Sequence, residues 1–281
     1  MWTREHLTND LKDLGVPLGA SLLVHASMRS IGKVTNGADG LVDSLIEAVG
    51  PDGTIMAPTF TPQFCDPSEW ANPPESDAET ERIRANISHF IKEKTPADQP
   101  RMGIFSEILR QRSGSVRSDH PTHSFSAVGP AALALTTNAP FHYPLGTDSP
   151  LARLHNSDGL ALLIGVGHEV NSSIHLAEVW ANAPYTHTRF SRVKTGTNAY
   201  VTMQGYPGCS DGFVKIELVL RQARLMRRGY VGNAPCCLMR QRELVSMAIA
   251  MIQGNPELLL CARPSCRDCT RARTFTATGA R

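Results

Sequence analysis

Apolar residues occur along the chain in two patterns, one with helical spacing and one as short continuous runs. Leu7, Leu11 and Leu14 lie four and three positions apart, which is the spacing of one helix face. The short apolar runs that follow are typical of buried strands. The pattern predicts a helix over 5–14, a strand over 21–26, a helix over 41–49 and a strand over 54–57. A strand, a helix and a strand in this order favour a parallel pair of strands.

The rest of the chain repeats this alternation after a long excursion over 58–101 that is rich in Pro, Asp and Glu. The pattern predicts further helices over 103–111, 131–136, 213–224 and 240–252 and one from about residue 172, strands over 124–128 and 160–166, and an edge hairpin over 193–203. Alternating strands and helices favour the α/β class. The predicted fold is a three-layer α/β/α sandwich around a central mixed sheet.

Length and composition favour one domain followed by a short tail. The chain has 281 residues, 41% of them hydrophobic, and no Gly/Ser-rich or Pro-rich linker divides it. We therefore predict a single domain over 1–262. The segment 263–281 contains five arginines, one aspartate and few apolar residues. A loosely ordered basic tail is expected there.

Charge, hydropathy and cysteine content argue against several classes of protein. A net charge of +2 gives no reason to expect nucleic acid or a membrane surface as partner. No apolar run of about 18 residues and no signal peptide is present, so a cytoplasmic location is expected. Seven irregularly spaced cysteines favour reduced thiols over disulfides. Cys261, Cys266 and Cys269 suggest zinc ligands, and the last two have the usual spacing. A structural site needs four ligands, and Cys209 or a histidine would have to come from far along the chain, so no bound metal is expected.

The stretch 165–178 carries the strongest candidate chemistry. It follows a predicted buried strand, and residues 171–173 (Asn-Ser-Ser) are of types that cap helix N-termini. His175 and Glu178 then lie three positions apart, so their side chains share one helix face. An imidazole beside a carboxylate just past a strand end is typical of an α/β active site, and an imidazole accepts a proton near neutral pH.

Five segments follow one another in a recognisable order. They are LLVHASMRSIG at 22–32, DPSEWANPP at 66–74, RSDHPTHS at 117–124, GVGHEVNSSIHLAE at 165–178, and VGNA at 231–234 followed by LMRQR at 238–242. Together they resemble the aminoglycoside 3-N-acetyltransferase family, over roughly residues 3–269. Members of that family transfer acetyl from acetyl-coenzyme A to an amine, typically the 3-amino group of a 2-deoxystreptamine antibiotic, and so confer antibiotic resistance. The resemblance implies acetyl-coenzyme A as cosubstrate and an aminoglycoside as partner, and it leaves the oligomeric state open between monomer and homodimer.

The resemblance also implies catalytic roles for three residues. His175 matches the histidine of the family's His-x-Ala-Glu element, which acts as the base that takes a proton from the substrate amine. Glu178 is expected to orient His175 or to bind an ammonium group of the substrate. His120, in the His-Pro pair, is expected to help hold the base or to approach the thioester sulfur. Backbone amides are expected to hold the oxyanion.

The loop after the first strand is the expected coenzyme site. Loops at the carboxyl ends of strands bind phosphate through backbone amides, and Arg29 and Lys33 add positive charge. The loop lacks a Gly-x-Gly-x-x-Gly or Walker motif, so this assignment follows from the resemblance. The expected coenzyme-binding residues are Ser27, Met28, Arg29, Ser30, Lys33, Val34, Thr122, His123 and Ser124.

An acidic stretch is the expected substrate wall. Residues 54–81 contain no Lys or Arg, and they carry the carboxylates Asp66, Glu69, Glu75, Asp77, Glu79 and Glu81. Such a wall would attract a polycationic aminoglycoside, although acidic runs are often simply solvated loops. Asp66 and Trp70, within the matching segment, are with Glu178 the predicted substrate contacts.

Three alternative functions stay open from the sequence. An N-acyltransferase that acts on a different small amine would carry the same motifs. A metal-dependent hydrolase would use some of the ten histidines, above all the DHPTH cluster at 119–123. A non-catalytic thiol or metal-binding protein would depend on the C-terminal cysteines. Cys209 is a weaker candidate for an acyl-accepting nucleophile, because no histidine partner is evident.

Overall fold

A computed structural model describes residues 1–70, 76–195 and 199–278, and these form a seven-stranded mixed sheet with helices on both faces, beside a separate two-stranded sheet. The strands in these ranges are β1 (Ser21–Ala26), β2 (Thr54–Pro58), β3 (Val116–Arg117), β4 (Phe125–Val128), β5 (Leu160–Ile164), β6 (Phe190–Lys194), β7 (Tyr200–Gln204), β8 (Arg227–Val231) and β9 (Ala234–Arg240). The helices are α1 (Arg4–Leu14), α2 (Met28–Ile31), α3 (Gly37–Val49), α4 (Asp77–Asn86), α5 (Gln99–Gln111), α6 (Ala132–Thr136), α7 (Pro150–Asn156), α8 (Ser173–Trp180), α9 (Ile216–Gln222), α10 (Gln241–Gly254) and α11 (Arg267–Thr278). None of the helices in the described ranges has the length and apolar character needed to span a membrane.

The central sheet has the strand order β3-β4-β2-β1-β5-β9-β8. β1 pairs in parallel with β2 on one side and β5 on the other, with Leu23 opposite Met56 and Val24 opposite Leu162. The outer strands pair antiparallel, β4 with β2 and β9 with β5. The predicted mixed sheet of an α/β fold is therefore confirmed.

Two separate cores cover the two faces of the sheet. Successive residues of a strand point to opposite faces, and β1 follows this rule, with Leu22 and Val24 in one core and Leu23 in the other. The first core receives the apolar faces of α1, α3 and α5, and the second receives those of α6 to α11. This arrangement gives the predicted three layers.

Helix α1 illustrates how local sequence signals set the bounds of an element. The Thr3 hydroxyl accepts the N–H of His6 at 3.3 Å and so caps the first turn. Gly15 ends the helix at φ 93°, a left-handed conformation that glycine adopts at little cost. Both signals are legible in the sequence, and the helix keeps nearly the predicted bounds.

Two hairpins differ from the sequence-based prediction. The strands predicted over 193–203 exist as β6 and β7, but they form the separate two-stranded sheet and not an edge of the main sheet. The hairpin of β8 and β9 is missing from the prediction, although Gly232 at φ 60° opens its two-residue turn. β8 is an edge strand and mostly polar and exposed, so it lacks the apolar run that predicts a buried strand.

The C-terminal segment is more ordered than expected. Residues 267–278 form helix α11, and the side chains of Cys269 and Ala272 are buried in the second core. A loosely ordered tail was expected here. The structure instead has a helix that packs on the second core through small buried side chains. The boundary of a single domain at residue 262 stays a prediction.

Candidate active site

A large cavity lies at the carboxyl ends of the parallel strands. Its walls come from residues 25–29 at the end of β1, from Phe60 and the loop that follows β2, and from Val166 and residues 169–172 after β5. The carboxyl ends of parallel strands are the usual ligand site of open α/β sheets. The cavity volume is about 1630 Å³, whereas pockets for one small ligand measure roughly 300–1,000 Å³. The space is therefore sufficient for two substrates at once.

Helix α8 presents His175 to this cavity. The Asn171 carboxamide oxygen accepts the N–H of Ser173 at 3.2 Å in the turn that leads into the helix, whose N-cap residue is Ser172. One turn further on, His175 Nδ1 lies 2.7 Å from Glu178 Oε2, and the Phe213 ring packs edge-on against the imidazole with 4.9 Å between centroids. Because an ionised carboxylate only accepts hydrogen bonds, Nδ1 carries a proton and Nε2 stays free as a proton acceptor.

Glu178 is buried and held by Arg189. The guanidinium Nη1 lies 3.3 Å from Oε2 and 3.4 Å from Oε1 of the carboxylate, and its Cζ stands 4.5 Å over the Tyr185 ring. Burial would raise the pKa of Glu178, but Arg189 and His175 outweigh burial and hold this pKa below its usual value. Glu178 does not line the cavity, so the geometry favours its orienting role over the expected contact with substrate. Arg189 is a residue that sequence reasoning missed.

His120 differs from its expected role. Its Nδ1 accepts the N–H groups of Thr122 at 3.1 Å and His123 at 2.9 Å, and its Nε2 donates to the Phe141 carbonyl at 3.1 Å. Burial lowers the pKa of His120 to about 4, so the ring is neutral at pH 7. Both nitrogens are engaged and the side chain lies off the cavity wall, which corrects the expectation that it approaches the thioester. Its contacts shape the loop that carries His123.

His123 lines the cavity near His175. Its ring packs against Phe60 and Tyr206, with centroid distances of 4.9 and 5.5 Å. Nδ1 lies 2.8 Å from the Thr122 hydroxyl. Burial first, and then the neighbouring His120 and His175, place the pKa of His123 well below its ordinary value. The imidazole is therefore a neutral polar group at the cavity.

Of the expected coenzyme-binding residues, Ser27, Met28, Arg29 and His123 line the cavity. Ser27 begins α2, where its hydroxyl accepts the N–H of Ser30 at 3.3 Å. Helix α5 contacts α2 and adds residues 100–104, among them the exposed cation Arg101. Gly103 interrupts α5 at φ 75°, and this conformation explains why glycine is present where the helix meets the end of β1.

The other expected coenzyme residues lie off the cavity wall. Ser30 donates to the Gly165 carbonyl at 3.1 Å, and Lys33 and Val34 are next to Trp2 near the N-terminus. Thr122 is fully buried. Ser124 is also fully buried, with Arg117 as a hydrogen-bond partner. Val34, Thr122 and Ser124 are buried and the Ser30 hydroxyl is already bonded, so these four side chains do not fit the predicted direct coenzyme contact. The Lys33 side chain is exposed, and its contact with the coenzyme stays a prediction.

The predicted acidic wall is only partly formed by the expected residues. Trp70 and Glu69 line the cavity, and Glu69 accepts the N–H of Arg192 at 2.8 Å. Asp66 is fully buried instead, with Oδ1 2.6 Å from Arg84 and Oδ2 3.0 Å from Arg192. Its charge is neutralised away from the cavity, which corrects its assignment to the substrate. Residues 71–75, including Glu75, lie outside the described part of the chain.

Two further segments of the cavity wall were missed by sequence reasoning. They are residues 206–211, after β7, and residues 263–271, which include the start of α11. The carboxylates Glu169, Asp211 and Asp268 line the cavity along with Glu69. Only the acidic residues near position 66 form a run in the sequence, because these others come from segments far apart along the chain.

Comparison with known proteins identifies the family to which the chain belongs. Residues 23–253 match the family model described as aminoglycoside 3-N-acetyltransferase. The chain belongs to this family. A relative from Streptomyces fradiae, aminoglycoside N(3)-acetyltransferase VIII, is 41% identical over an alignment of 273 positions that covers 90% of this chain and 92% of the relative.

Solved structures of family members have the same fold. The apoenzyme of aminoglycoside acetyltransferase AAC(3)-IVa superposes with a TM-score of 0.83 at 30% identity, covering 98% of both chains. A mutant of that enzyme in complex with a gentamicin gives a TM-score of 0.80 at 29% identity, covering 98% of this chain and 97% of the other. AAC-IIIb, solved as a binary complex with CoASH, gives 0.79 at 25% identity, covering 90% and 96%. The predicted family, fold class and acetyltransferase activity are therefore confirmed.

Proposed function

We propose that this acetyltransferase transfers acetyl from acetyl-coenzyme A to the 3-amino group of a 2-deoxystreptamine aminoglycoside, with His175 as the general base. The observation that carries the proposal is the hydrogen bond of 2.7 Å between His175 Nδ1 and Glu178 Oε2, beside a cavity of about 1630 Å³. Family relatives with a bound gentamicin and with bound CoASH support these two substrate classes.

The reaction needs a neutral amine nitrogen and a leaving thiol. The nitrogen lone pair forms a bond to the thioester carbonyl carbon, while His175 Nε2 accepts a proton from that nitrogen. The carbonyl electron pair moves to oxygen, and its return breaks the carbon–sulfur bond. Coenzyme A leaves as the thiol after taking the proton from His175. Such base catalysis contributes typically about 100- to 10,000-fold in rate, and no step requires a metal ion.

His123 is proposed to stabilise the transient oxyanion. The Thr122 hydroxyl at 2.8 Å is a suitable donor to Nδ1, and that tautomer leaves an N–H at Nε2 of the ring at the cavity wall. Because burial keeps the imidazole neutral, it is a hydrogen-bond donor and does not compete with His175 for the proton.

Charges around the cavity suit both substrates. Arg29 and Arg101, on adjacent helices, are suitable partners for coenzyme A phosphates. Glu69, Glu169 and Asp268 are suitable partners for the ammonium groups of an aminoglycoside. We also assign the activity to the cytoplasm, because acetyl-coenzyme A is available there.

A thiol-release assay tests the proposed function. The purified full chain is mixed with acetyl-coenzyme A and a panel of 2-deoxystreptamine antibiotics, and free coenzyme A is measured with a thiol reagent after subtraction of the protein's own thiols. Release that depends on the antibiotic, with acetylation at the 3-amino group by mass and NMR analysis, is expected. Release only with other small amines would contradict the aminoglycoside assignment and favour the broader N-acyltransferase.

A further inference from the structure

Four cysteines from three separate segments meet beside the cavity. Cys209 follows β7, Cys261 follows α10, and Cys266 and Cys269 stand at the start of α11. Their four Sγ atoms all lie within 4.8 Å of one another. Three of the four side chains are buried, and that of Cys209 is half-buried. The missing fourth ligand of the Cys266-x-x-Cys269 pair is thus supplied by the fold.

We propose that these four sulfurs bind one structural Zn²⁺ ion. Four thiolates in tetrahedral coordination at about 2.3 Å from zinc stand roughly 3.8 Å apart, so the observed spacing needs only a small contraction. Two disulfides would require two pairs at about 2 Å, whereas all four atoms here form one compact group. Among the described residues, these four cysteines form the one group of three or more His, Cys, Asp or Glu side chains with metal-ligand spacing. The DHPTH residues of the hydrolase alternative do not form such a group.

Backbone contacts around the sulfurs support metal binding. The N–H of Cys261 points to Cys269 Sγ at 3.3 Å, and such donors commonly stabilise zinc-bound thiolates. Four protein ligands leave no open coordination position, so the ion would be structural and would take no part in acetyl transfer. This differs from the expectation of free thiols, which rested on the sequence distance of the fourth ligand.

The site would tie the C-terminal helix to the wall behind the catalytic pair. Gly208, next to Cys209, lies so close to Arg189 that a Cβ there would be 2.3 Å from the guanidinium Cζ. Phe213, four residues after Cys209, packs on the His175 ring. Binding of Cys209 to the same ion as α11 would therefore fix the segment that contacts Arg189 and the His175 ring. The proposed ion positions this wall, and its presence does not depend on which amine is acetylated.

Metal content of the full chain tests the proposal. We expect about one zinc per chain by mass spectrometry of protein purified without chelator. Cys269→Ser should reduce this by roughly tenfold. The matched control is Cys237→Ser, which removes a half-buried thiol outside the cluster and should leave zinc unchanged.

A second measurement covers the case in which Cys269→Ser does not fold. Unaltered protein is stripped with a chelator under reducing conditions and titrated with Co²⁺, and tetrahedral d–d bands with intense thiolate-to-cobalt absorption are expected at about one equivalent. Disulfides among the four cysteines in the purified protein, or stable protein without metal that gives no cobalt absorption, would overturn the proposal. Acetyl transfer is not a readout of either measurement, so this outcome leaves the proposed function untouched.

Discussion

Two of the buried carboxylates in the described residues, Asp66 and Glu178, have nearly the same surroundings and different consequences. The side chains of Asp66 and Glu178 are 0% and 2% exposed, each faces arginine, and the pKa of each is held below its usual value. Asp66 gives one oxygen to Arg84 and Ser68 and the other to Arg192. Glu178 shares Oε2 between Arg189 and His175.

This difference separates a structural ion pair from a catalytic one. Asp66 is paired with two partly exposed arginines, and its side chain does not line the cavity. Glu178 is hydrogen-bonded to the imidazole of His175, which lines the cavity, so its negative charge acts on that ring. A buried carboxylate is therefore informative about function only through the group that it positions, and an acidic residue within a matching motif need not contact the substrate.

Replacing His175 should have the largest effect on activity. His175→Ala removes the proposed base, and we expect kcat to fall by about 100- to 10,000-fold. Coenzyme A affinity, measured by calorimetry, should stay within about threefold, because the rest of the cavity is unchanged. The control is His89→Ala, which removes an exposed histidine that does not line the cavity. Activity of His175→Ala near that of the wild type would contradict the role of His175 as the general base.

Variants of His123 test whether this second imidazole of the cavity stabilises the oxyanion while His175 acts as the base. His123→Phe keeps a ring between Phe60 and Tyr206 but loses the donor, and we expect kcat to fall by roughly 100-fold or more. His123→Gln, which restores an N–H donor, should recover part of this loss in steady-state assays. Equal rates for the two variants would contradict the oxyanion role.

Glu178→Gln tests whether the carboxylate beside His175 acts in catalysis. The amide keeps the shape of the side chain but loses the charge that stabilises protonated His175, so a fall in kcat of about 10- to 100-fold is expected with little change in KM. Circular dichroism and thermal unfolding check that the variant is folded. An unchanged kcat in a folded variant would mean that Glu178 does not act through His175.

Asp66→Asn tests whether the second buried carboxylate has only a structural role, in which case the rate of acetyl transfer should be unchanged. We expect kcat/KM within about threefold of the wild type. Because Arg84 and Arg192 are partly exposed and reach water, the free energy of unfolding should fall by only about 1–3 kcal/mol in urea titrations. A large rise in KM for the aminoglycoside without loss of stability would restore Asp66 to the substrate site.

A final effect, measured on stability, is the pH dependence that the buried His120 adds. Its folded pKa of about 4 lies below the unfolded value near 6.5, so the unfolded chain binds the extra proton between these pH values. The free energy of unfolding should therefore fall as pH drops from about 7 to 4, by on the order of 3 kcal/mol from this group. His120→Asn keeps an acceptor for the two amides and should flatten the slope. Urea titrations at pH 7 and 4.5 measure it.

The sequence predicts the elements that carry apolar runs and the motif that carries the base. The buried strands near residues 21–26 and 160–166 and the pair His175 and Glu178 were all found where periodicity and helix spacing pointed. Arg189 and Cys209 were not, because each meets its partners only through tertiary folding. Asp66 was predicted as a substrate contact and His120 as a catalytic residue, but the burial of both side chains depends on tertiary partners that the sequence does not reveal.

The most direct test of the account is a crystal structure of the full chain with coenzyme A and a 2-deoxystreptamine aminoglycoside bound together. The account predicts the 3-amino nitrogen within about 2.6–3.2 Å of His175 Nε2, directly or through one water, with Nδ1 still bonded to Glu178. An acceptor nitrogen bound beyond the reach of that ring, with another side chain in its place, would contradict it.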